Sequence, residues 1–372
     1  MKVRIGDLTK IRTGKLDANA SSENGKYPFF TCSKEPLKIS TYSYDCECVL
    51  VAGNGDLNVK YYNGKFDAYQ RTYIIEDNGS HKIYVPYLYY FMERYIEELR
   101  KQAIGGVIKY IKLGNLTEAV IELPSIEDQK AIVRILEKSK RILNLRHNEL
   151  VALDEFIKAR FVEMFEKENH EIVKTSEICD FITKGTTPPT GELAKEYNDG
   201  KIPFLKVYNL SFTGELLFDD NPQYIPKETH DGKLARSKVY PNDVLMNIVG
   251  PPLGKFAFVT DEFDEWNINQ AIAIFRAKDR ILPKFLLHAL MQPKVLEPFI
   301  GQAVGIRQQN LSLEQCRNLQ FPLPSLEEQQ SFVEFVEQVN KSKVVYQTDP
   351  NKLTFLQKIC YNNYKEQYHI LG

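Results

Sequence analysis

The sequence predicts an α+β protein with an internal duplication: two mixed α/β domains joined by two long antiparallel helices that pair like a coiled coil. Two observations lead to this prediction. A helix start occurs twice, as Leu123-Pro124-Ser125-Ile126-Glu127-Asp128-Gln129 and as Leu323-Pro324-Ser325-Leu326-Glu327-Glu328-Gln329. The segments before each start follow the same order of short β-prone pieces and one helix. We therefore expect the two halves to be related by pseudo-two-fold symmetry.

Both starts carry the signals of a helix N-terminus. A serine, Ser125 or Ser325, occupies the N-cap position, and an acid three residues later forms a capping box, better in the second copy with Glu328. Acidic residues in the first turn also suit the positive end of the helix dipole. The two copies therefore predict two long helices with equivalent beginnings.

An apolar residue recurs every seven positions behind each start, which keeps one stripe facing a partner helix. Two similar stripes in one chain most simply bury each other. The pair Asp349-Pro350 interrupts the second run and predicts a kink or a restart of the helix. The residues predicted to form the helix interface are Leu136, Leu143, Leu150, Ile157, Phe332, Val339, Tyr346 and Leu353.

The predicted order is domain, helix, domain, helix, with limits at residues 1–124, 125–168, 169–323 and 324–372. In the first domain we expect a helix over residues 86–102 and turns at Gly53-Asn54-Gly55 and Asn63-Gly64. Gln270 follows Gln70 at the same place in the second copy. The second copy is longer near its start, in the loop-like residues 185–200.

Composition limits the class of protein. The formal net charge of −1 provides no overall basic field for nucleic acid, so any DNA binding must come from local clusters. The six cysteines show no paired metal-ligand spacing, which argues against zinc or a disulfide framework. The first residues lack the apolar core of a signal peptide, and no apolar run reaches membrane-spanning length. We expect a cytoplasmic protein with no membrane partner.

No motif in the chain predicts catalysis. Asn221-Pro222-Gln223-Tyr224 is similar to an amino-methyltransferase element but lacks its second proline. The segment from Gly250 to Phe256 is one residue short of a phosphate-binding loop and has Phe256 where a magnesium-binding hydroxyl would stand. The six histidines are scattered. We therefore predict no catalytic residue and no metal site.

Polar loops give better support for binding. Arginine pairs with guanine edges and glutamine or asparagine with adenine, while basic glycine-containing loops suit phosphates. Each loop taken alone also fits an ordinary solvated loop. The residues predicted to contact DNA are Lys10, Arg12, Lys15, Asn54, Gln70, Arg71, Lys109, Lys184, Thr186, Lys255, Gln270, Arg307, Gln308 and Asn310.

Taken together, the duplicated helix start, the alternation with two dissimilar domains and the polar segment 305–311 resemble the specificity (S) subunit of type I restriction–modification systems. The resemblance implies two target-recognition domains, each bound to one half of a bipartite, asymmetric sequence in double-stranded DNA. The helices would set the gap between the halves and dock two modification (methyltransferase) subunits, which restriction (translocase/endonuclease) subunits join. S-adenosylmethionine, ATP and magnesium would belong to those partners, and this chain would carry no cofactor.

Two other classes of function stay open on the residues alone. The chain could be a protein–protein scaffold whose helical spacer joins two ligand-binding domains without DNA, which the near-neutral charge favours. It could also be a methyltransferase with degenerate motifs. The duplicated cap and the seven-residue period favour the DNA-recognition hypothesis over both.

Overall fold

The computed structural model describes residues 1–167, 170–189, 191–198, 200–300 and 310–344. These residues form two compact units, residues 1–145 (unit 1) and residues 146–344 (unit 2). Each unit combines β-sheets with helices. The mixed α/β composition predicted for both halves is therefore confirmed, while the predicted limits of the four segments remain a prediction.

Unit 1 is built on one large sheet. Its strands are β1 Lys2–Arg4, β2 Thr9–Thr13, β3 Tyr27–Phe30, β4 Leu37–Ile39, β5 Tyr44–Ala52, β6 Val59–Ala68, β7 Thr72–Asp77 and β8 Val120–Glu122. Its helices are α1 Val85–Gln102, α2 Leu113–Thr117 and the first part of α3 Ile126–Phe161. Six strands form the sheet in the order β2-β7-β5-β6-β3-β4, and β1 pairs with β8.

Alternating side chains bury both faces of this sheet. Val49 and Val51 of β5 point into a core that includes Leu88 and Met92 of α1. Leu50, between them, packs in a second cluster with aromatic residues of neighbouring strands. Because both faces are covered, the segment 48–52 is apolar throughout rather than alternating.

One predicted turn of unit 1 is wrong. Asn63 and Gly64 lie inside β6, where Gly64 is paired with Cys46 of β5. Gly64 has φ +137°, so the glycine accommodates a local irregularity of a long strand rather than a chain reversal. The predicted helix over residues 86–102 is confirmed by α1.

Unit 2 repeats the plan with smaller sheets. Its strands are β9 Glu171–Lys174, β10 Cys179–Lys184, β11 Lys201–Leu205, β12 Tyr224–Pro226, β13 Lys238–Val239, β14 Val244–Asn247, β15 Phe256–Phe258, β16 Trp266–Ile268, β17 Ile272–Ala277 and β18 Gln320–Leu323. Its helices, besides the end of α3, are α4 Thr175–Ile178, α5 Lys227–Asp231, α6 Pro283–Leu290, α7 Pro293–Ile300, α8 Leu313–Arg317 and α9 Leu326–Val344. The sheets have the orders β10-β17-β14-β15, β12-β11-β16-β13 and β9-β18.

The two units differ in length mainly between equivalent strands in the middle of the sheet. Unit 1 passes from β3 to β5 through residues 31–43, whereas unit 2 passes from β11 to β14 through residues 206–243. The longer connection contains β12, α5 and β13. Residues 185–200, between β10 and β11, also form a longer connection than the equivalent residues 14–26, as predicted, but the larger insertion follows β11.

The duplicated helix starts have the predicted capping geometry. The Ser125 Oγ accepts a hydrogen bond from the Asp128 N–H at 3.2 Å, and the Ser325 Oγ accepts one from the Glu328 N–H at 3.3 Å. In the second copy the Ser325 N–H also donates to Glu328 Oε2 at 2.8 Å, which completes the capping box. The helices begin at Ile126 and Leu326, as expected.

The glutamine that ends each repeated motif is fully buried and fastens the preceding loop to the helix. Gln129 accepts from the Tyr84 N–H and donates to the carbonyls of Lys82 and Pro124. Gln329 makes the same three bonds, accepting from the Leu282 N–H and donating to Arg280 and Pro324. A buried amide satisfies backbone groups that would otherwise lack partners. This role explains why glutamine closes both copies of the motif.

Within unit 2, the end of α3 and helix α9 pack against each other in opposite directions. The rings of Phe161 and Phe332 lie 5.5 Å apart, and those of Phe156 and Phe335 lie 5.2 Å apart. Farther along α9, Lys343 forms an ion pair with Asp154, earlier in α3. Later residues of one helix thus meet earlier residues of the other, which confirms the predicted antiparallel pairing for this stretch. In the described part of the chain, no helix combines the length and the apolar character needed to cross a membrane.

Candidate nucleic-acid interface

Each unit contains a sharp corner with the same backbone hydrogen bonds. In corner 1, residues 13–16 face residues 68–72: the Gly14 N–H donates to Thr72 O at 3.0 Å and the Lys15 N–H to Ala68 O at 3.2 Å. In corner 2, residues 184–187 face residues 268–272. There the Gly185 N–H donates to Ile272 O at 3.0 Å and the Thr186 N–H to Ile268 O at 3.2 Å. The duplication is therefore preserved at the level of single hydrogen bonds.

The glycine of each corner is required by close packing of the backbone. A Cβ added to Gly14 would lie 2.1 Å from Ala68 O, and one added to Gly185 would lie 2.0 Å from Asn269 O. No side chain fits at those distances. The two chain segments can approach only where glycine stands, and this approach brings the side chains on either side of it together.

Corner 1 collects three residues that the sequence predicts to bind DNA. Lys15, Gln70 and Arg71 are all exposed there. The Gln70 side chain donates from Nε2 to Asp17 Oδ1 at 2.9 Å. Two cations and an amide are thus displayed on adjoining loops, a set suited to phosphates and base edges.

Two further predicted residues of unit 1 lie beside corner 1. The Gly53 N–H donates to Arg71 O at 2.8 Å, and the next loop is attached through the Gly55 N–H bond to Lys109 O at 3.0 Å. Gly55 has φ +69°, as expected for the predicted turn. Asn54 and Lys109 therefore join the same polar surface; Asn54 is half-buried and Lys109 is exposed.

Corner 2 gathers three residues of unit 2 that the sequence predicts to bind DNA. Lys184 and Gln270 are exposed, and Thr186 is half-buried. The Thr187 hydroxyl donates to Gln270 Oε1. Arg236, which the sequence interpretation missed, comes from the long insertion and donates from Nε to Thr186 Oγ1 at 3.0 Å. No residue of the first copy corresponds to this insertion, so the duplication offered no signal for it.

The neighbouring loop of unit 2 also matches unit 1. The Ile248 N–H donates to Ala271 O at 2.8 Å and the Leu311 N–H to Ile248 O at 2.9 Å. Asn310 is exposed and bridges to Val249. Lys255 is half-buried, with its Nζ 5.6 Å from the centre of the Phe212 ring. The predicted contacts at Arg307 and Gln308 fall outside the described residues.

Two predicted residues stand on strand β2 rather than at corner 1. Lys10 is exposed and paired in register with Glu76. Arg12 is half-buried, forms a 2.6 Å ion pair with Glu76 and places its guanidinium 4.7 Å from the centre of the Tyr44 ring. Arg12 thus has internal partners within the sheet, and DNA contact by these two residues remains a prediction.

The predicted helix-interface residues are more buried in unit 2 than in unit 1. Leu136 and Leu143 of α3 are half-buried, as is Leu150. Ile157 is 4% exposed, and on α9 Phe332 and Val339 are also buried. Tyr346, Leu353 and the Asp349-Pro350 interruption lie outside the described residues. Ile157, Phe332 and Val339 thus belong to the core of unit 2, whereas the part that Leu136, Leu143 and Leu150 play in a helix interface stays a prediction.

Among the described residues, one cluster has the composition of a metal site. Atoms of His230, Asp231 and Glu265 lie within 4.8 Å of one another. Lys227 and Lys238 form ion pairs with both carboxylates and so compensate their charge. Hydrogen bonding to Lys238 holds the pKa of Asp231 below its usual value, and burial followed by the Lys238 charge lowers the pKa of His230. The group is thus a balanced charge network that fastens α5 to the sheet rather than an open cation site.

Both halves of the chain match one family of known proteins. A model of the family described as "Type I restriction modification DNA specificity domain" matches residues 1–154 and again residues 167–354. The chain is 32% identical over 240 residues to the type I restriction enzyme EcoDI specificity subunit of Escherichia coli, covering 64% of this chain and 45% of that protein. It is 22% identical over 372 residues to the MjaVIII specificity subunit of Methanocaldococcus jannaschii, covering 91% and 85%.

Solved structures share the fold. The S subunit of a type I restriction–modification system from M. genitalium superposes with a TM-score of 0.58 at 17% identity, covering 97% of this chain and 94% of that one. A chain from a study of complex assembly and conformational transition of the type I R-M system gives the same TM-score at 18% identity, covering 97% and 96%. With two family matches that together span most of its residues, the chain belongs to the type I restriction–modification DNA specificity family.

Proposed function

We propose that this chain is the DNA-recognition subunit of a type I restriction–modification complex and that each unit reads one half of a bipartite, asymmetric target. The observation that carries the proposal is the repeated corner. Two units with the same backbone geometry present different side chains at the same place, namely Lys15, Gln70 and Arg71 in unit 1 and Thr186, Gln270 and Arg236 in unit 2.

The chemistry of the corners supports duplex DNA as the ligand. Arginine and glutamine side chains supply the paired donors and acceptors that recognise guanine and adenine in the major groove. Lys15 and Lys184 add charge suited to phosphates. Because these cations lie at the corners themselves, they can act locally despite a net charge of −1 for the whole chain.

The proposed partners are two modification subunits that methylate adenine, together with restriction subunits, all in the cytoplasm. S-adenosylmethionine, ATP and magnesium would be bound by those subunits, and this chain would contribute recognition rather than catalysis. The helices are the proposed docking surface and the spacer between the half-sites. Since the matched region is 45% of the EcoDI subunit, these roles are proposed for this chain and not transferred from its relative.

Long-read sequencing of methylated adenines tests the proposal directly. Cells that carry the complete modification complex should show one bipartite methylated motif, and cells lacking only this gene should lose it while keeping other methylation. A protein–protein scaffold that does not read DNA predicts the same methylation pattern with and without the gene. Methylation of a single undivided motif would contradict reading by two separate units.

A further inference from the structure

In unit 1 an arginine follows the corner glutamine, and in unit 2 an alanine stands at that position. Arg71 follows Gln70 immediately, whereas Ala271 follows Gln270. The two positions are equivalent, because the Gly53 N–H binds Arg71 O and the Ile248 N–H binds Ala271 O. The guanidinium present in corner 1 is therefore missing from the matching backbone position of corner 2.

Arg236 supplies a guanidinium to corner 2 from a different part of the chain. Its Nε donates to the hydroxyl of Thr186, which is the equivalent of Lys15, and the side chain remains exposed. Across the described residues, no acceptor binds its terminal Nη groups. Those groups are available as donors, beside the amide of Gln270.

The loop that carries Arg236 is fixed by one buried amide. Asn267 is fully buried; its Oδ1 accepts from the Ser237 hydroxyl at 3.0 Å, and its Nδ2 donates to Leu234 O at 3.2 Å. The same Nδ2 donates to Nδ1 of His230 at 3.0 Å. Residues on both sides of Arg236 are thus held to strand β16, so the guanidinium is positioned before any ligand binds.

Asp67 of unit 1 stands at the position equivalent to Asn267 and fastens the shorter connection of that unit. Asp67 is 1% exposed and accepts at Oδ2 from the Ser43 hydroxyl at 2.8 Å. Both Asp67 and Asn267 pair in register beside the parallel neighbour strand, opposite Phe29 and Phe204. Asparagine replaces aspartate where the longer insertion requires a donor as well as an acceptor.

We propose that Arg236 is a specificity-determining residue of unit 2, which binds the O6 and N7 edge of a guanine in the major groove in place of the missing equivalent of Arg71. This inference rests on the proposed function. A base edge is favoured over a phosphate because the guanidinium is oriented by the Thr186 hydroxyl, and the next residue, Thr187, binds the uncharged amide of Gln270. Lysine carries the same charge to a phosphate as a point charge, whereas the planar fork of arginine fixes the geometry of a bidentate contact with guanine O6 and N7.

The test uses the complete modification complex with Arg236→Lys and Arg236→Ala, and with Lys233→Ala as the matched control on the same loop. Long-read methylation sequencing reports the motif. Both Arg236 variants should lose at least about tenfold in discrimination at one guanine, a change of 1.4 kcal/mol. That guanine should lie in the half-site that Arg71→Ala leaves unchanged. Lys233→Ala should keep the wild-type motif.

Other outcomes overturn the inference. Full retention of the motif by Arg236→Lys, or a uniform loss over all sites in Arg236→Ala, would assign Arg236 to a phosphate. An unchanged motif in both variants would remove it from recognition. If the wild-type complex itself shows no bipartite motif, the proposed function fails instead, so the two failures are distinguishable.

Asn267→Asp tests the positioning step separately. It keeps the acceptor for Ser237 but removes the donor to His230 and Leu234. It should weaken discrimination at the same guanine as Arg236→Lys. The double variant should lose no more discrimination than either single variant, because both substitutions act through the Arg236 side chain. Emission of the adjacent Trp266, the single tryptophan of the chain, checks that unit 2 remains folded. Relaxation at a different base would contradict this positioning role.

Discussion

Corners 1 and 2 share one backbone geometry but carry different side chains. Their paired hydrogen bonds have the same lengths, 3.0 and 3.2 Å, and each is closed by a glycine that touches a carbonyl on the facing segment. The side chains nevertheless differ: Lys15 and Arg71 in unit 1 correspond to Thr186 and Ala271 in unit 2. The duplicated scaffold therefore fixes the positions at which these side chains stand, while sequence differences and the insertion decide which side chains stand there.

This distinction gives a rule for mutations. Replacing a residue that makes the same hydrogen bonds in both units should lower the free energy of unfolding of the two units equally. Replacing a residue whose surroundings differ between the units should lower it unequally.

The largest difference is expected at the first buried turn of the two long helices. Phe332 is fully buried against Phe161 and Phe165, whereas Ile132, the equivalent position in α3, is half-buried. Phe332→Ala should lower the free energy of unfolding by about 3–5 kcal/mol, and Ile132→Ala by about 1–2 kcal/mol. Denaturant titration followed by Trp266 fluorescence for unit 2, and hydrogen exchange for unit 1, measures both. Similar losses would contradict the difference in burial.

The buried glutamines should behave alike. Gln129→Ala and Gln329→Ala each leave a partly buried backbone N–H and two carbonyls without their glutamine partner. Each should therefore destabilise its own unit by about 2–3 kcal/mol. Gln330→Ala is the matched control, since its exposed side chain contacts only Glu334 among the described residues. Hydrogen exchange in residues 82–84 and 280–282 is the measurement. A loss of protection in only one unit would contradict the equivalence of the two glutamines.

Acid should weaken unit 2 through His288. Burial, followed by the charge of Lys343, lowers the pKa of His288 from 6.5 to about 4. Because the unfolded state binds the proton more readily, the contribution of neutral His288 to stability is fully present above pH 6.5. It is lost as the pH falls towards 4, which lowers the free energy of unfolding by on the order of 2 kcal/mol. Trp266-monitored unfolding of His288→Gln should show a shallower decline over this range. An identical decline in the variant would exclude His288 as the cause.

Features that occur in both copies could be predicted from the sequence, because each copy supports the interpretation of the other. Ser125 and Ser325 mark helix starts by local hydrogen bonding alone, and Gln70 and Gln270 could be matched by their spacing of 200 residues. Arg236 could not be found in this way, since its insertion has no copy and its meeting with Thr186 depends on the buried Asn267. Asn63-Gly64 was misread for the opposite reason: a local turn signal was overridden by pairing along the whole of β6.

Arg12 illustrates a further limit. Its position in a basic, glycine-containing segment predicted phosphate contact, but the sheet brings Glu76 to within 2.6 Å of its guanidinium. A sequence shows that a cation is present; only the pairing of β2 with β7 shows which partner it has.

The smallest effect in energy is the one most informative about function. Arg71→Ala should remove about 1–2 kcal/mol of discrimination at one base, without changing the stability of unit 1, because the side chain is exposed. Lys101→Ala, on the exposed face of α1, is the control for a change of charge. Unit 1 should keep its hydrogen-exchange pattern in both variants.

The central claim is that each unit reads its own half of the target through its own corner. Long-read methylation sequencing of the modification complex carrying Arg71→Ala or Gln270→Ala tests it most directly. Each variant should alter a different half of one bipartite motif and leave the other half intact. Variants that alter the same half, or weaken both halves together, would contradict it.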